Sequence, residues 1–409
     1  MSSEQNGLTP VIPYARPYWD EKESEALAEV VRSGMWTGGD RTRTFEQALE
    51  RVVGAPHVVC VSNGTAAIHA LLHLIRSPRR RNLFITPALN FLAGPAVAVQ
   101  LGYDVAFTDI EPTTLNMDVE SLRSVLAAVA PGYERIVVMP VHFAGLPADI
   151  NEIVATANAY DAVVVEDACH ALPARYATDG APVGSHTGSL GAVFSFHPTK
   201  PVAAGEGGAV AVTDAVLAER LRQYRNHNMR RNDLNPALSL DTDGLPKPWY
   251  YQVDTPGHNL RMSEFHAAVG SVQLSRLPES LAHRAAIAQR YRAELAGSPY
   301  LRYVPADDNG RSGLHLFPVS LDLDALKVTK QAVFAHYRSY GVVPQVHYTP
   351  VSEQPAFAQA IHPREGFPGL DYTSPGLLSL PLFHGMTDED QDRVLHATRA
   401  LFGGRVASE

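Results

Sequence analysis

In Ser195-Phe196-His197-Pro198-Thr199-Lys200-Pro201 a lysine follows directly on an apolar run and is bracketed by two prolines. Pro198 and Pro201 restrict the backbone, so the lysine is aimed rather than free. A lysine taken out of water can lose its proton near neutral pH and attack an aldehyde. Most single lysines are solvated surface cations, but the flanks here change the odds. Gly205-Glu206-Gly207-Gly208 comes just behind, and its glycines allow a sharp turn and a close approach to another group. A second feature is the apolar run 162–165, which leads into Glu166-Asp167. In open α/β sheets ligands bind beyond the carboxyl ends of strands, so an acid there suits a cofactor. The alternative is that Asp167 caps the next segment or pairs with a surface arginine. The third feature, Asn63-Gly64-Thr65-Ala66-Ala67, joins a strand to a helix. The N–H groups of a helix start, with a hydroxyl beside them, form an anion site for a monophosphate. An ordinary N-cap by Thr65 is the plainer reading. No Walker lysine pattern and no G-x-G-x-x-G are present, which disfavours nucleoside triphosphates and dinucleotides. A phosphate cradle, an acid for a ring nitrogen and a lysine for an aldehyde are together the needs of pyridoxal phosphate. No metal-ligand set is assigned, and His197 is given no role.

Elements of alternating type must position these groups. An amphipathic helix is expected over 20–33, with Ala26, Leu27, Val30 and Val31 on one face, stopping at Gly34. A turn over 36–39 follows. Strands over 58–61, 83–86, 104–108, 136–140 and 162–165 alternate with helices over 65–75, 92–100, 119–129 and 150–160. This βαβ series predicts an α/β fold with a mostly parallel sheet covered on both faces. The runs 191–196 and 208–213 read as neighbouring strands with a functional loop between them, and a helix over 215–226 follows. Residues 230–258 form a long irregular segment, of the kind that is usually functional. Helices resume over 263–275 and continue to about 295. A smaller α+β part begins near 300, with a strand over 314–319 and helices over 329–340 and 388–401. The expected division is a large domain over 1–275 and a small C-terminal domain over 276–409.

The chain has 409 residues, 45% of them hydrophobic and 19% charged, enough for a full enzyme subunit with a substantial core. A net charge of -9 argues against nucleic acid or an anionic membrane surface as the main partner. The two cysteines, Cys60 and Cys169, suit buried thiols in a reducing compartment better than a disulfide. The polar start over 1–10 shows no signal peptide, and no apolar run is long enough to span a bilayer. A cytoplasmic enzyme is expected, and Asn63-Gly64-Thr65 is a chance match to the glycosylation pattern. Arg225, His227, Arg230 and Arg231 suit either a diphosphate or a solvated helix end. Trp249, Tyr250 and Tyr251 suit a sugar or nucleotide pocket, with core packing as the default.

With these residues in place, the chain resembles the DegT/DnrJ/EryC1/StrS aminotransferases, which act on nucleotide-linked keto-sugars. The most specific matching pieces are Glu166-Asp167-Ala168-Cys169-His170-Ala171, Phe194 through Lys200 with Gly205 through Gly208, and Gly257-His258-Asn259-Leu260-Arg261-Met262. The resemblance runs from about Ile12 to Phe383. It implies the type I aminotransferase fold and pyridoxal 5'-phosphate, with pyridoxamine phosphate as the intermediate form. Lys200 becomes the Schiff-base lysine and Asp167 the partner of the ring nitrogen. His170 falls near the ring's phenolic oxygen and Phe91 on its face. Gly64, Thr65, Ala66 and Ser195 fall at the phosphate, and Asn259 reaches it from the neighbouring subunit of a homodimer. His197-Pro198-Thr199-Lys200-Pro201, Arg225-Asn226-His227 and Pro248-Trp249-Tyr250-Tyr251 are similar to the C4-aminotransferases of pseudaminic acid synthesis. The implied reaction moves an amino group from glutamate to the C4 keto group of a UDP-linked deoxy-sugar. Two rivals are a sugar dehydratase, whose relatives carry His in place of the lysine, and a non-catalytic regulator that keeps the fold.

Overall fold

The computed structural model describes residues 11–78 and 80–404. The polar start read over 1–10 lies outside them. The strands, in chain order, are β1 (Ile12–Pro13), β2 (His57–Val61), β3 (Asn82–Pro87), β4 (Tyr103–Thr108), β5 (Arg135–Val138), β6 (Val163–Asp167), β7 (Gly191–Ser195), β8 (Gly208–Val212), β9 (Leu301–Tyr303), β10 (Phe317–Leu321), β11 (Val342–Val343) and β12 (Leu377–Leu380). Strands β2 to β8 form a seven-stranded sheet in the order β2-β8-β7-β6-β5-β3-β4. Its pairings are parallel from β4 through β7, and β8 is antiparallel to both of its neighbours. The expected mostly parallel sheet is therefore present, and β7 and β8 are the neighbouring pair that flanks the lysine loop.

Side chains alternate across a strand, so each strand feeds two cores. Val58, Cys60, Leu83, Ile85 and Val164 face one side. Val59, Val61, Phe84, Val165 and Val210 face the other, packed on the helix Gly64–Ile75. The same parity separates the acidic pair at the end of β6. Glu166 falls on the face of Val164, and Asp167 on the face of Val165.

A helix over Asp40–Val53 is absent from the sequence reading. Phe45, Leu49 and Val53 are buried one turn apart on it, and Gly54 ends it at φ 67°, in the left-handed region glycine tolerates. Its first turn, Asp-Arg-Thr-Arg-Thr, is polar and hides the stripe that follows. In the first helix, Glu21–Ser33, Val30 is buried but Val31 is 56% exposed, so Val31 does not share the buried face. The segment 230–258 is less irregular than expected. It folds back on itself through the bridges Arg230↔Gln252 and Leu240↔Pro246 and holds a short helix over Pro236–Ser239.

The smaller unit carries the antiparallel sheet β12-β10-β9 and a third core around Tyr291, Phe317, Tyr337 and Val394. Ile12 joins that core, and β1 pairs with β11, so the start of the described chain packs with its C-terminal part. The strand expected over 314–319 begins instead at Phe317. Leu314 has φ 47°, and the N–H of His315 donates to the carbonyl of Ala144 at 3.0 Å. Residues 313–316 are thereby docked on the large unit, which carries His315 towards the lysine loop.

Candidate active site

Lys200 sits in a tight loop between β7 and β8. Its N–H donates to the His197 carbonyl at 2.9 Å, and the loop is closed by Phe196 N–H to Gly207 O and Ala204 N–H to Phe196 O, both at 2.8 Å. The amine points into a cavity of about 490 Å³ at the carboxyl ends of the sheet strands. Burial pulls the Lys200 amine below the usual lysine range, while Cys169 and the Asp167 charge pull it back up. The Nζ lies 3.4 Å from Nε2 of His315.

Asp167 ends β6, is 7% exposed and lines the same cavity. Its Oδ1 accepts from the Cys169 N–H at 3.0 Å, and its backbone is bonded on both sides, N–H to Pro140 O and O from the His142 N–H. Among the described residues no cation forms an ion pair with it. A buried carboxylate in that position is complementary to a protonated ring nitrogen.

The helix Gly64–Ile75 is capped by Asn63, whose Oδ1 accepts from the Ala66 N–H at 2.8 Å. Asn63 is thus the cap in place of Thr65. Its bond also occupies the Ala66 N–H, so the expected Ala66 phosphate contact is not available through that group. Gly64 and Thr65, whose N–H groups lie at the helix start without intrahelical acceptors, line the cavity together with Ser195. The cradle depends on close packing. A Cβ on Gly208 would lie 2.4 Å from the Asn63 carbonyl carbon, so only glycine lets β8 pass under this turn.

His170 accepts from the Ala144 N–H at its Nδ1 (3.3 Å), which assigns its proton to Nε2, facing the Tyr348 hydroxyl at 2.9 Å. Burial holds its pKa well below the usual histidine range. Phe91 is 50% exposed and lines the cavity, its ring 5.6 Å from that of Tyr348. Behind β6, Glu166 is fully buried and accepts from His142 Nε2 (2.8 Å), Tyr176 OH (2.7 Å) and Ser189 Oγ (2.5 Å).

Of the sequence-predicted residues, the fold brings together Gly64, Thr65, Phe91, Asp167, His170, Ser195 and Lys200. Asn259 is exposed, is not among the residues lining its own chain's cavity, and is bridged to Asn226. His197 does line the cavity, with its Nδ1 3.1 Å from Thr199 Oγ1. Arg225 is spent on the buried Glu46 and on the Cys60 carbonyl, and Arg230 on Asp254, so neither is a free cation waiting for a diphosphate. Trp249 is 73% exposed, which overturns core packing as its default. Sequence reasoning missed His315, Tyr14 and Glu206. His347 and Tyr348, which also line the cavity, were given no role in the sequence reading either.

An amine nucleophile, a lone buried carboxylate, a helix start and an exposed aromatic face around one cavity fit pyridoxal phosphate. Residues 17–399 match the DegT/DnrJ/EryC1/StrS aminotransferase family. The chain belongs to this family. It is 32% identical to the spore coat polysaccharide biosynthesis protein SpsC of Bacillus subtilis, over 96% of this chain and 97% of that protein. Among solved structures, DesI, determined in the presence of its TDP-sugar product, is 29% identical with a TM-score of 0.82, covering 97% of this chain and 94% of that one. Helicobacter pylori PseC, an aminotransferase of pseudaminic acid biosynthesis, has a TM-score of 0.83 over 96% of this chain and 99% of that one, at 24% identity. The fold is that of the pyridoxal-phosphate aminotransferases. The enzyme is a sugar aminotransferase of a pyridoxal-phosphate-dependent family.

Proposed function

We propose that this enzyme transfers an amino group from glutamate to the C4 keto group of a UDP-linked deoxy-sugar, with Lys200 as its catalytic base and acid. The observation that carries the reading is the Lys200 amine and the Asp167 carboxylate lining one cavity with the helix start at Gly64. Bound there, pyridoxal phosphate supplies an aldehyde that carries the amino group and a ring that accepts the electron pair of a breaking C–H bond. The protein's own work is holding and proton transfer. The N–H groups of Gly64 and Thr65 and the Ser195 hydroxyl hold the phosphate. Phe91 covers the ring face, and Asp167 keeps a proton on the ring nitrogen. His170 would lie near the phenolic oxygen, held in place by the Tyr348 hydroxyl at its Nε2. Once released, Lys200 Nζ takes the proton from the reacting carbon and returns it on the other side of the transfer. Its lowered basicity leaves more of the amine unprotonated at neutral pH, the form a base needs.

Asn259 completes the phosphate contacts from a second chain, which makes the working unit a homodimer with shared sites. The exposure of Asn259 on its own chain supports this reading. The choice of the C4 position and of UDP rests on the local strings around Lys200, Arg225 and Trp249.

Purified enzyme should be yellow, and borohydride should fix the cofactor to the peptide carrying Lys200. Lys200→Ala should lower transamination by at least about 100-fold; a normal rate would remove Lys200 from the mechanism. The amine form, offered a panel of UDP- and TDP-linked keto-sugars, should lose its amino group to a UDP-linked 4-keto-6-deoxy-hexosamine. Discharge only by a TDP-sugar would move the nucleotide assignment, and discharge by none would overturn the sugar reading.

A further inference from the structure

His315 is 2% exposed and belongs to residues 313–316, the stretch docked on the large unit through the Ala144 and Gly145 carbonyls. Its Nε2 is 3.4 Å from Lys200 Nζ, and its ring centre is 4.5 Å from that of His170. On its other side, Nδ1 is buried with no hydrogen-bond partner among the described residues. The surroundings are rich in cationic and basic groups. Arg284, itself buried, donates to the Leu314 carbonyl beside it, and His170 and His347 face the same space. The acidic groups on the lysine's side are Asp167 and Cys169 on the β6 end, Glu206 at the cavity wall and Tyr348. A positive imidazole in this setting would be stripped of water and face Arg284 without an acid of its own, so His315 is neutral and carries one proton.

Which nitrogen holds that proton follows from the orphaned side. A proton on Nδ1 would bury an N–H donor without an acceptor, the costlier of the two unsatisfied states, whereas a bare Nδ1 lone pair is more readily tolerated. The proton is therefore assigned to Nε2, whose hydrogen-bond partner among the described residues is Lys200 Nζ. An N–H can donate to an amine lone pair but not to an ammonium group. We propose that His315 is a positioning residue that donates from Nε2 to the lone pair of Lys200 and so selects the neutral amine once the lysine is released from the cofactor.

This rests on the reading of Lys200 as the catalytic lysine, and the test separates the two. In the cofactor-free protein, the rate at which acetic anhydride acetylates Lys200 is measured against pH by peptide mass spectrometry, with the exposed Lys22 as internal standard. His315→Phe removes the donor and keeps a flat ring of similar size. It should move the Lys200 midpoint up by about one pH unit, the equivalent of one hydrogen bond to the neutral form. His315→Gln keeps an N–H donor and should restore most of the wild-type midpoint. A purely structural role would change neither midpoint, and an unmoved His315→Phe curve overturns the proposal. Should both variants fail to fold, neutron diffraction of the wild-type protein decides the matter. Deuterium on Nε2 with a bare Nδ1 supports the assignment, and the opposite tautomer or a doubly protonated ring overturns it. Borohydride labelling of the loaded wild type is the separate control: cofactor fixed elsewhere sinks the reading of Lys200, whereas cofactor on Lys200 with an unmoved midpoint sinks only His315.

Discussion

At the scale of single residues, neighbours in sequence do opposite jobs because the pleat turns them to opposite faces. Asp167 faces the cavity with no ion-pair partner among the described residues, and Glu166 faces away into three donors. Burial works against the Glu166 charge, yet the bonds from His142, Ser189 and Tyr176 outweigh it and hold the carboxyl below its usual range. His142 accepts from the Ala148 N–H at Nδ1 (3.0 Å), which leaves its Nε2 N–H to donate to Glu166. A carboxyl depressed in the folded state adds stability above its unfolded pKa, and that stability is lost as the pH falls through the folded value. Glu166→Gln, which replaces an acceptor-only group by one that must place an NH2 among donors, should destabilise the enzyme by about 1–3 kcal/mol at pH 7. Its stability should also fall less steeply than wild type on acidification below the ordinary glutamate range. Denaturant melts at pH 7 and pH 4 check both expectations, and an unchanged difference between the two pH values would show that Glu166 does not carry this charge.

At the scale of elements, the cradle is a junction between a strand and a helix that tolerates little change. Asn63 caps the helix, β8 passes under it at Gly208, and Ser195 abuts Gly64, where an added Cβ would lie 3.1 Å from the Ser195 Cβ. The cap aligns the N–H groups that are proposed to hold the phosphate. Asn63→Ala should cost about 1 kcal/mol of stability. It should also weaken retention of pyridoxal phosphate more than that loss explains, because the first turn frays where the phosphate sits. Thermal melts of the cofactor-free protein, paired with equilibrium dialysis of the cofactor, separate the two effects. A variant that loses stability but keeps wild-type cofactor affinity would place the phosphate elsewhere.

At the scale of the whole molecule, the cavity is assembled from both units. The sheet supplies Asp167 and the lysine loop, while His315, His347 and Tyr348 come from the C-terminal part. Asn259, exposed on its own chain, is the residue proposed above to serve a second copy. On that proposal, mixing Lys200→Ala and Asn259→Ala proteins under subunit exchange should raise activity above that of either variant alone. Each mixed dimer carries one site with both residues intact, so random exchange gives about a quarter of wild-type sites. No recovery, with exchange shown by mass, would mean that Asn259 serves its own chain.

Much of this was legible in the chain because it is local. Hydrophobic period and turn residues mark the βαβ series, and the short strings around Lys200, Asp167 and Gly64 carry their chemistry within a few residues. The helix Asp40–Val53 was missed: Phe45, Leu49 and Val53 carry its period, but its polar first turn masked them. What only the tertiary structure decided is long-range. His315 lies 115 residues from Lys200. The apolar pattern around His315 reads as a strand of the small sheet, and nothing local says that left-handed Leu314 breaks that strand and docks His315 on Ala144. Arg225 likewise reads as a free cation until the fold places it on Glu46, 179 residues away. The sequence by itself determined which groups are candidates for pyridoxal-phosphate chemistry, since that depends on residue type and local backbone. Only the fold determined which neighbours set their protonation, since that depends on contacts between segments far apart in the chain.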